Sequence, residues 1–264
     1  MSHMEFYAQT VWPELRVRLT SISDQWGGLA IAGPRAREVL AASVDDADVG
    51  NDALPFMGWA DGTLGGFPVR IYRISFSGEL SFEIATPANL GRAFWDRLLE
   101  AGKDWGITPY GTEALHIMRA EKGFIMIGDE TDGTVIPQDL NLQWAISKKK
   151  ADYLGKRAQE RAFMVSPERW KLVGLETLDG SVIPDGAYAV AEGVNANGQR
   201  NVQGRVTSTY FSPTLGKGIA MGLVRHGPER MGEVLDFPVD EGRVVKAKIV
   251  DPVFYDKPGE KQNV

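Results

Sequence analysis

The chain has no cysteine, few histidines and no long apolar run. Without cysteine there is no disulfide, iron–sulfur cluster or thiolate zinc site. His3, His116 and His226 make no ligand spacing such as H-x3-H, so no metal site is expected. No apolar stretch reaches the ~20 residues that span a bilayer. The opening MSHMEFYAQTVWPEL lacks the apolar stretch of a secretory signal. Basic charge is also short, with 29 Lys and Arg against 35 Asp and Glu and a net charge of −6. That balance argues against a general nucleic-acid or membrane-surface binder. No G-x-G-x-x-G follows a strand pattern, and no P-loop, G-x-S-x-G or H-E-x-x-H occurs, so no Rossmann unit for FAD or NAD is expected.

What remains is an ordinary globular composition, 43% hydrophobic and 24% charged over 264 residues, enough for one large or two medium domains. Residues 4–12 have helical spacing that Trp12-Pro13 ends. LRVRLTS over 15–21 alternates with the period of a half-buried strand, and GLAIA over 28–32 reads as a buried strand. Gly33-Pro34 turns into a helix over Arg35–Ala42, and Gly65-Gly66 and Pro68 punctuate a hairpin into Val69–Arg73. The spacing predicts a helix over 87–102, with Thr86 as N-cap, a Leu90/Phe94/Leu98 stripe and Gly102 as its stop. A second helix is expected over Gly111–Lys122, closed by Gly123, with Ala114, Leu115 and Met118 on one face. The character changes near 151–168. Short alternating runs follow at 171–176, 201–208, 219–224 and 244–250, the pattern of a small antiparallel barrel or sandwich. A domain boundary is expected near 160–168.

RISFSGELSFE over 73–83 is the most informative stretch. It reads as a strand, a polar turn at Ser77-Gly78-Glu79, and a second strand that fixes the Glu83 carboxylate. A carboxylate can accept two parallel hydrogen bonds from a planar N–C–N donor edge. By spacing alone an exposed strand-end glutamate is the plain reading.

The stretch resembles the pteridine-binding turn of the glycine-cleavage T-protein (aminomethyltransferase) family. Phe76, where most members have Tyr, matches the wording of the alpha subunit of heterotetrameric sarcosine oxidase. The 107–157 segment, beginning ITPYGTEALHIMRAEKGF, and RVTSTYFSPTLGKGIAMGLV over 205–224 agree, so the likeness runs along nearly the whole chain. The resemblance implies an α+β aminomethyltransferase folate-binding domain over 1–160, incomplete at its N-terminus, and a C-terminal antiparallel β-barrel domain over 168–264. It implies tetrahydrofolate as cofactor, with FAD, FMN and NAD only on absent segments or partner subunits. It further implies a flavoprotein subunit as partner and a cytoplasmic location.

Five residues follow from it as folate contacts. Glu83 would grip the pterin, and Phe76 would stack on it. Arg119, in MRAEKG, would pack beside the pocket and reads as structural more than ligating. Leu115 stands where the family has a folate-binding Arg, so that contact does not carry over. Trp144 is either a folate neighbour or a core residue. Tyr255 falls near a C-terminal aromatic that contacts folate in relatives. Lys148-Lys149-Lys150 is either a solvated patch or an attractor for a polyglutamate tail.

The segment carrying the family's catalytic Asp would precede this chain, so no catalytic residue is assigned. The expected function is the folate-binding part of a sarcosine oxidase alpha chain. It would help capture the one-carbon unit of sarcosine as 5,10-methylenetetrahydrofolate, and would be inactive alone. The alternatives are a stand-alone folate-dependent aminomethyltransferase or demethylase, and a non-catalytic scaffold subunit. Flavoprotein gene neighbours would favour the first, and a folded chain that ignores folate would favour the scaffold. Sheet strands left without neighbours would allow self-association through the exposed edge.

Overall fold

The computed structural model describes residues 1–264 and every side chain but that of residue 241. Helix α1 (Ser2–Thr10) buries none of its residues. Its aromatic side chains meet one another instead, Tyr7 lying edge-on to His3 and Phe6 and tilted against Trp12. Residues 15–21, expected as a strand, form none. Leu15 and Val17 stay about half exposed. Alternation makes a segment competent for pairing, but a strand exists only where a partner offers its ladder.

Strand β1 (Trp26–Ala32), helix α2 (Ala36–Ala41), strands β2 (Trp59–Leu64), β3 (Phe67–Tyr72) and β4 (Ser81–Pro87), and helix α3 (Gly91–Ala101) build the first layer. The sheet has the order β1-β4-β3-β2, all antiparallel. Because side chains alternate across a strand, Ile31, Val69, Ile71, Phe82 and Ile84 face one side. They pack there with Val39, Leu40, Phe94 and Leu98 of the two helices. Thr86 does not cap α3. It sits in β4 opposite Gly27 and donates to the Pro68 carbonyl (3.0 Å), because the ladder claims it first. Gly102 does end α3, by space more than by handedness: its φ is −84°, and a Cβ there would meet Ile107 at 2.6 Å.

Helix α4 (Thr112–Glu121) follows, closed by Gly123 at φ 73°. Ala114, Leu115 and Met118 are only half buried. The deeply buried residues of α4 are Arg119, Ala120 and Glu121 at its last turn. After the short α5 (Lys156–Gln159) come β5 (Trp170–Thr177), β6 (Tyr188–Val190), β7 (Val202–Ser212), β8 (Lys217–Arg225), β9 (Val234–Pro238) and β10 (Val244–Val250). They close into a barrel in the order β10-β5-β8-β7-β6-β9, not an open sandwich. Closure leaves no edge strand, and the interior is filled by residues such as Val173, Leu175, Val206, Phe237 and Ile249.

The fold is thus α+β with a closed six-stranded barrel. The chain packs as two units. One takes in Met1–Ser75, Glu79–Pro109 and Lys261–Val264, the other Phe76–Gly78 and Tyr110–Glu260. Residues 110–160 therefore belong with the barrel in packing. The boundary near 160–168 stays a proposal for where the barrel's own sequence starts. No helix among the described residues is long and apolar enough to cross a membrane.

Candidate functional site

Glu83 lies in β4, directly opposite Ala30 of β1 and Tyr72 of β3. Its neighbours Phe82 and Ile84 point into the core, so alternation turns Glu83 to the sheet face that the two helices leave uncovered. A pocket of about 290 Å³ opens there, lined by Gly28, Leu29, Ala30, Tyr72, Glu83, Ile84 and Ala85. The small side chains of Gly28, Ala30 and Ala85 leave the space, and Tyr72 gives it an aromatic wall. Glu83 is exposed and engages no hydrogen bond or ion pair among the described residues. An uncommitted carboxylate over a pocket can accept two hydrogen bonds from a ligand. The cation on the same face is committed elsewhere: Arg70 forks onto Asp61 (2.7 and 3.3 Å) and stacks over Trp59 at 4.9 Å.

The other four candidate residues do not line this pocket, and all belong to the second unit. Phe76 is half buried in a turn whose Gly78 (φ 82°) leaves no room for a side chain, since a Cβ would meet Lys122 at 2.8 Å. Trp144 is 76% exposed, on the short turn Gln143–Ala145. Tyr255 is half buried, and its main-chain N–H and that of Phe254 both donate to the Glu121 carbonyl (2.9 Å each).

Arg119 is 0% exposed. Its Nη1 donates to Glu130 (2.8 Å), and its Nη2 to Ser208 Oγ (2.7 Å) and Asp129 (3.2 Å). Glu130, itself fully buried, also accepts from the Met126 N–H (2.8 Å), Thr207 Oγ1 (2.9 Å) and Ser208 Oγ (2.5 Å). Thr207 and Ser208 reach one carboxylate because β7 bulges between Val206 and Ser208. Without the bulge, adjacent side chains would face opposite sides. Glu121 is buried likewise and accepts from Ser212 (2.5 Å) and Thr214 (3.1 Å). These charges have protein partners, and Arg119 Nε alone among their polar atoms is buried without one. No group of three or more acidic or histidine side chains among the described residues could hold a metal ion.

Residues 1–150 match the family model of the GCVT N-terminal domain, and residues 171–256 that of the glycine cleavage T-protein C-terminal barrel domain. The chain belongs to the glycine cleavage T-protein family. Within that family it is similar to the sarcosine oxidase subunit alpha of Corynebacterium sp. (strain U-96), at 45% identity over 98% of this chain and 27% of that protein. It is also similar to an aminomethyltransferase of Halothermothrix orenii, at 34% identity over 90% of this chain and 64% of that protein. Among solved structures it resembles the glycine cleavage system aminomethyltransferase T from Bartonella henselae. That match has a TM-score of 0.72 and 28% identity, over 88% of this chain and 60% of the other. The chain thus spans about a quarter of the length of the sarcosine oxidase relatives.

Tyr72, Gly28 and Ala30 were not foreseen in this T-protein-family pocket. A signal existed in the hairpin: Tyr72 and Glu83 stand symmetrically about the Ser77–Gly78 peptide, so pairing centred there opposes them. A turn centred on Gly78 itself would have opposed Arg73 instead. Gly28 and Ala30 come from β1, whose register no local pattern reveals.

Proposed function

We propose that this chain is the tetrahydrofolate-binding portion of a sarcosine oxidase alpha chain. In the whole assembly a flavoprotein subunit would oxidise the N-methyl group of sarcosine. Bound tetrahydrofolate would supply two amines that capture the one-carbon unit as 5,10-methylenetetrahydrofolate, with glycine as the leaving group. The observation that carries the reading is the free Glu83 carboxylate over the 290 Å³ pocket, in a chain whose sarcosine oxidase relatives are 43–45% identical.

The residues present fit such a group. Glu83 would accept from the N–C–N edge of the pterin, Tyr72 offers a face for the ring, and Ala30 and Ala85 leave room for it. Phe76, Trp144 and Tyr255 are proposed as further folate contacts. Arg119 is proposed as a support that acts through Glu130. Holding both folate amines at a fixed place is the main contribution this portion can make, since capture depends on proximity.

The test is calorimetric titration with 5-formyltetrahydrofolate. Saturable binding is expected, weakened by ~1.5–3 kcal/mol in Glu83→Ala, the range for a hydrogen bond to a charged group. Equal affinity in both proteins would refute the role given to Glu83. A cooperatively folded chain that ignores the ligand would favour the scaffold reading.

A further inference from the structure

Gly28 lines the pocket of Glu83, and neither the backbone nor the packing of the fold requires a glycine there. It sits in the interior of β1, paired with Ala85 of β4, and its φ lies outside the left-handed region. A Cβ added to it would meet no atom within 4 Å among the described residues. Two other glycines of the same unit show what packing demands. A Cβ at Gly58 would meet the Pro55 carbonyl at 2.8 Å, and one at Gly62 the Ala47 side chain at 2.9 Å. A glycine inside a strand weakens it, since it loses more backbone freedom on folding and packs no side chain. At Gly28 the fold takes that loss and gains nothing from it.

A strand glycine free of such demands marks a place where a ligand comes close to the main chain. The register says where. Gly28 stands opposite Ala85, and the next pair on this face is Ala30 opposite Glu83, about 7 Å further along the strands. Beyond Ala85 in the same row comes Arg70, which Asp61 holds. A flat ring laid over Gly28 and Ala85 rests its face on the main chain and turns its edge to Glu83. We propose, resting on the folate reading above, that Gly28 is the specificity-determining residue of this pocket. Its missing side chain lets the pterin ring settle onto β1, at the depth where the Glu83 carboxylate forks onto the N–C–N edge. A side chain at 28 would stand between ring and main chain and lift that edge out of line. Hydrogen bonds weaken steeply with such displacement. The floor therefore accepts a planar ring and rejects one that carries a substituent on that face.

Stability and affinity should respond differently, which separates this role from a structural one. Gly28→Ala and Gly28→Val place side chains in open space on a strand, so both should melt no lower than the unmodified chain. Titrated with 5-formyltetrahydrofolate, Gly28→Val should bind at least ~10-fold more weakly, with Gly28→Ala between it and the unmodified chain. Gly27→Ala is the control. Its added Cβ meets only ordinary contacts at 3.8–3.9 Å on the other face of the sheet, and its affinity should be unchanged. Unmodified affinity in Gly28→Ala and Gly28→Val overturns the proposal, as does an equal loss in Gly27→Ala. A Tm several degrees lower in Gly28→Ala, or lost cooperative melting, also overturns it, because the glycine would then serve the fold. If Gly28→Val alone melts low, Gly28→Ala decides. An unmodified chain that ignores the ligand refutes the folate reading and the role of Gly28 with it. Binding that is blind to residue 28 refutes this inference alone.

Discussion

Glu130 accepts from Arg119, Met126, Thr207 and Ser208, and both partners of the Arg119–Glu130 pair are fully buried. Two desolvated charges are tolerated because their hydrogen bonds are made within the protein. Removing one partner leaves the other buried and alone. Glu130→Ala should therefore lower unfolding stability by ~3–5 kcal/mol in urea denaturation. Replacing the pair with Arg119→Met and Glu130→Leu together should recover much of that loss. A single mutant costing under ~1 kcal/mol would contradict the assignment. Sequence gives Glu83 and hides this pair, for one physical reason. Glu83 owes its position to a hairpin read from consecutive residues. Arg119 owes its burial to partners at 129–130 and 208, which no window over MRAEKG contains. Charges in a local run read as solvated because most are.

At the scale of elements, β1 is a seven-residue edge strand without a charge or proline, devices that commonly blunt such edges. The Gly33 N–H donates to Leu80 (2.9 Å), which sets the alternation of the β1–β4 ladder. The amides of Gly27, Leu29 and Ile31 turn toward β4, and those of Gly28, Ala30 and Ala32 turn away. Hydrogen–deuterium exchange resolved by residue should show slow exchange for the first three and fast exchange for the second. Uniform protection along β1 would mean that another strand covers the edge, through self-association or a partner. Helices α1 to α4 and four of the six barrel strands, β5, β7, β8 and β10, were legible in periodicity and turn residues. The strand expected at 15–21 was not realised, because its alternation finds no ladder here. The short β6 and β9 carried too little pattern to be read at all.

At the scale of the molecule, the net charge of −6 opposes an anionic folate at long range, and salt screens that repulsion. Lys148, Lys149 and Lys150 are exposed and could attract extra glutamates locally. Lengthening the polyglutamate tail should then raise affinity at ~50 mM salt and much less at ~200 mM, where the Debye length is under ~10 Å. Replacing the three lysines with serine should remove the gain. A gain that survives either change would return the run to a plain solvated patch. The return of residues 261–264 to the first unit has a consequence for how the chain is made. Residues Lys261–Val264 complete the unit that Met1–Ser75 begins, and the Arg73–Val264 contact spans 191 positions. A ribosome delivers the N-terminal part first. The unit that Met1–Ser75 begins is therefore finished only after the barrel strands have been made and residues 261–264 have cleared the exit tunnel. Until then the hairpin of β3 and β4 waits without the contacts that residues 261 and 264 make to Glu79 and Arg73.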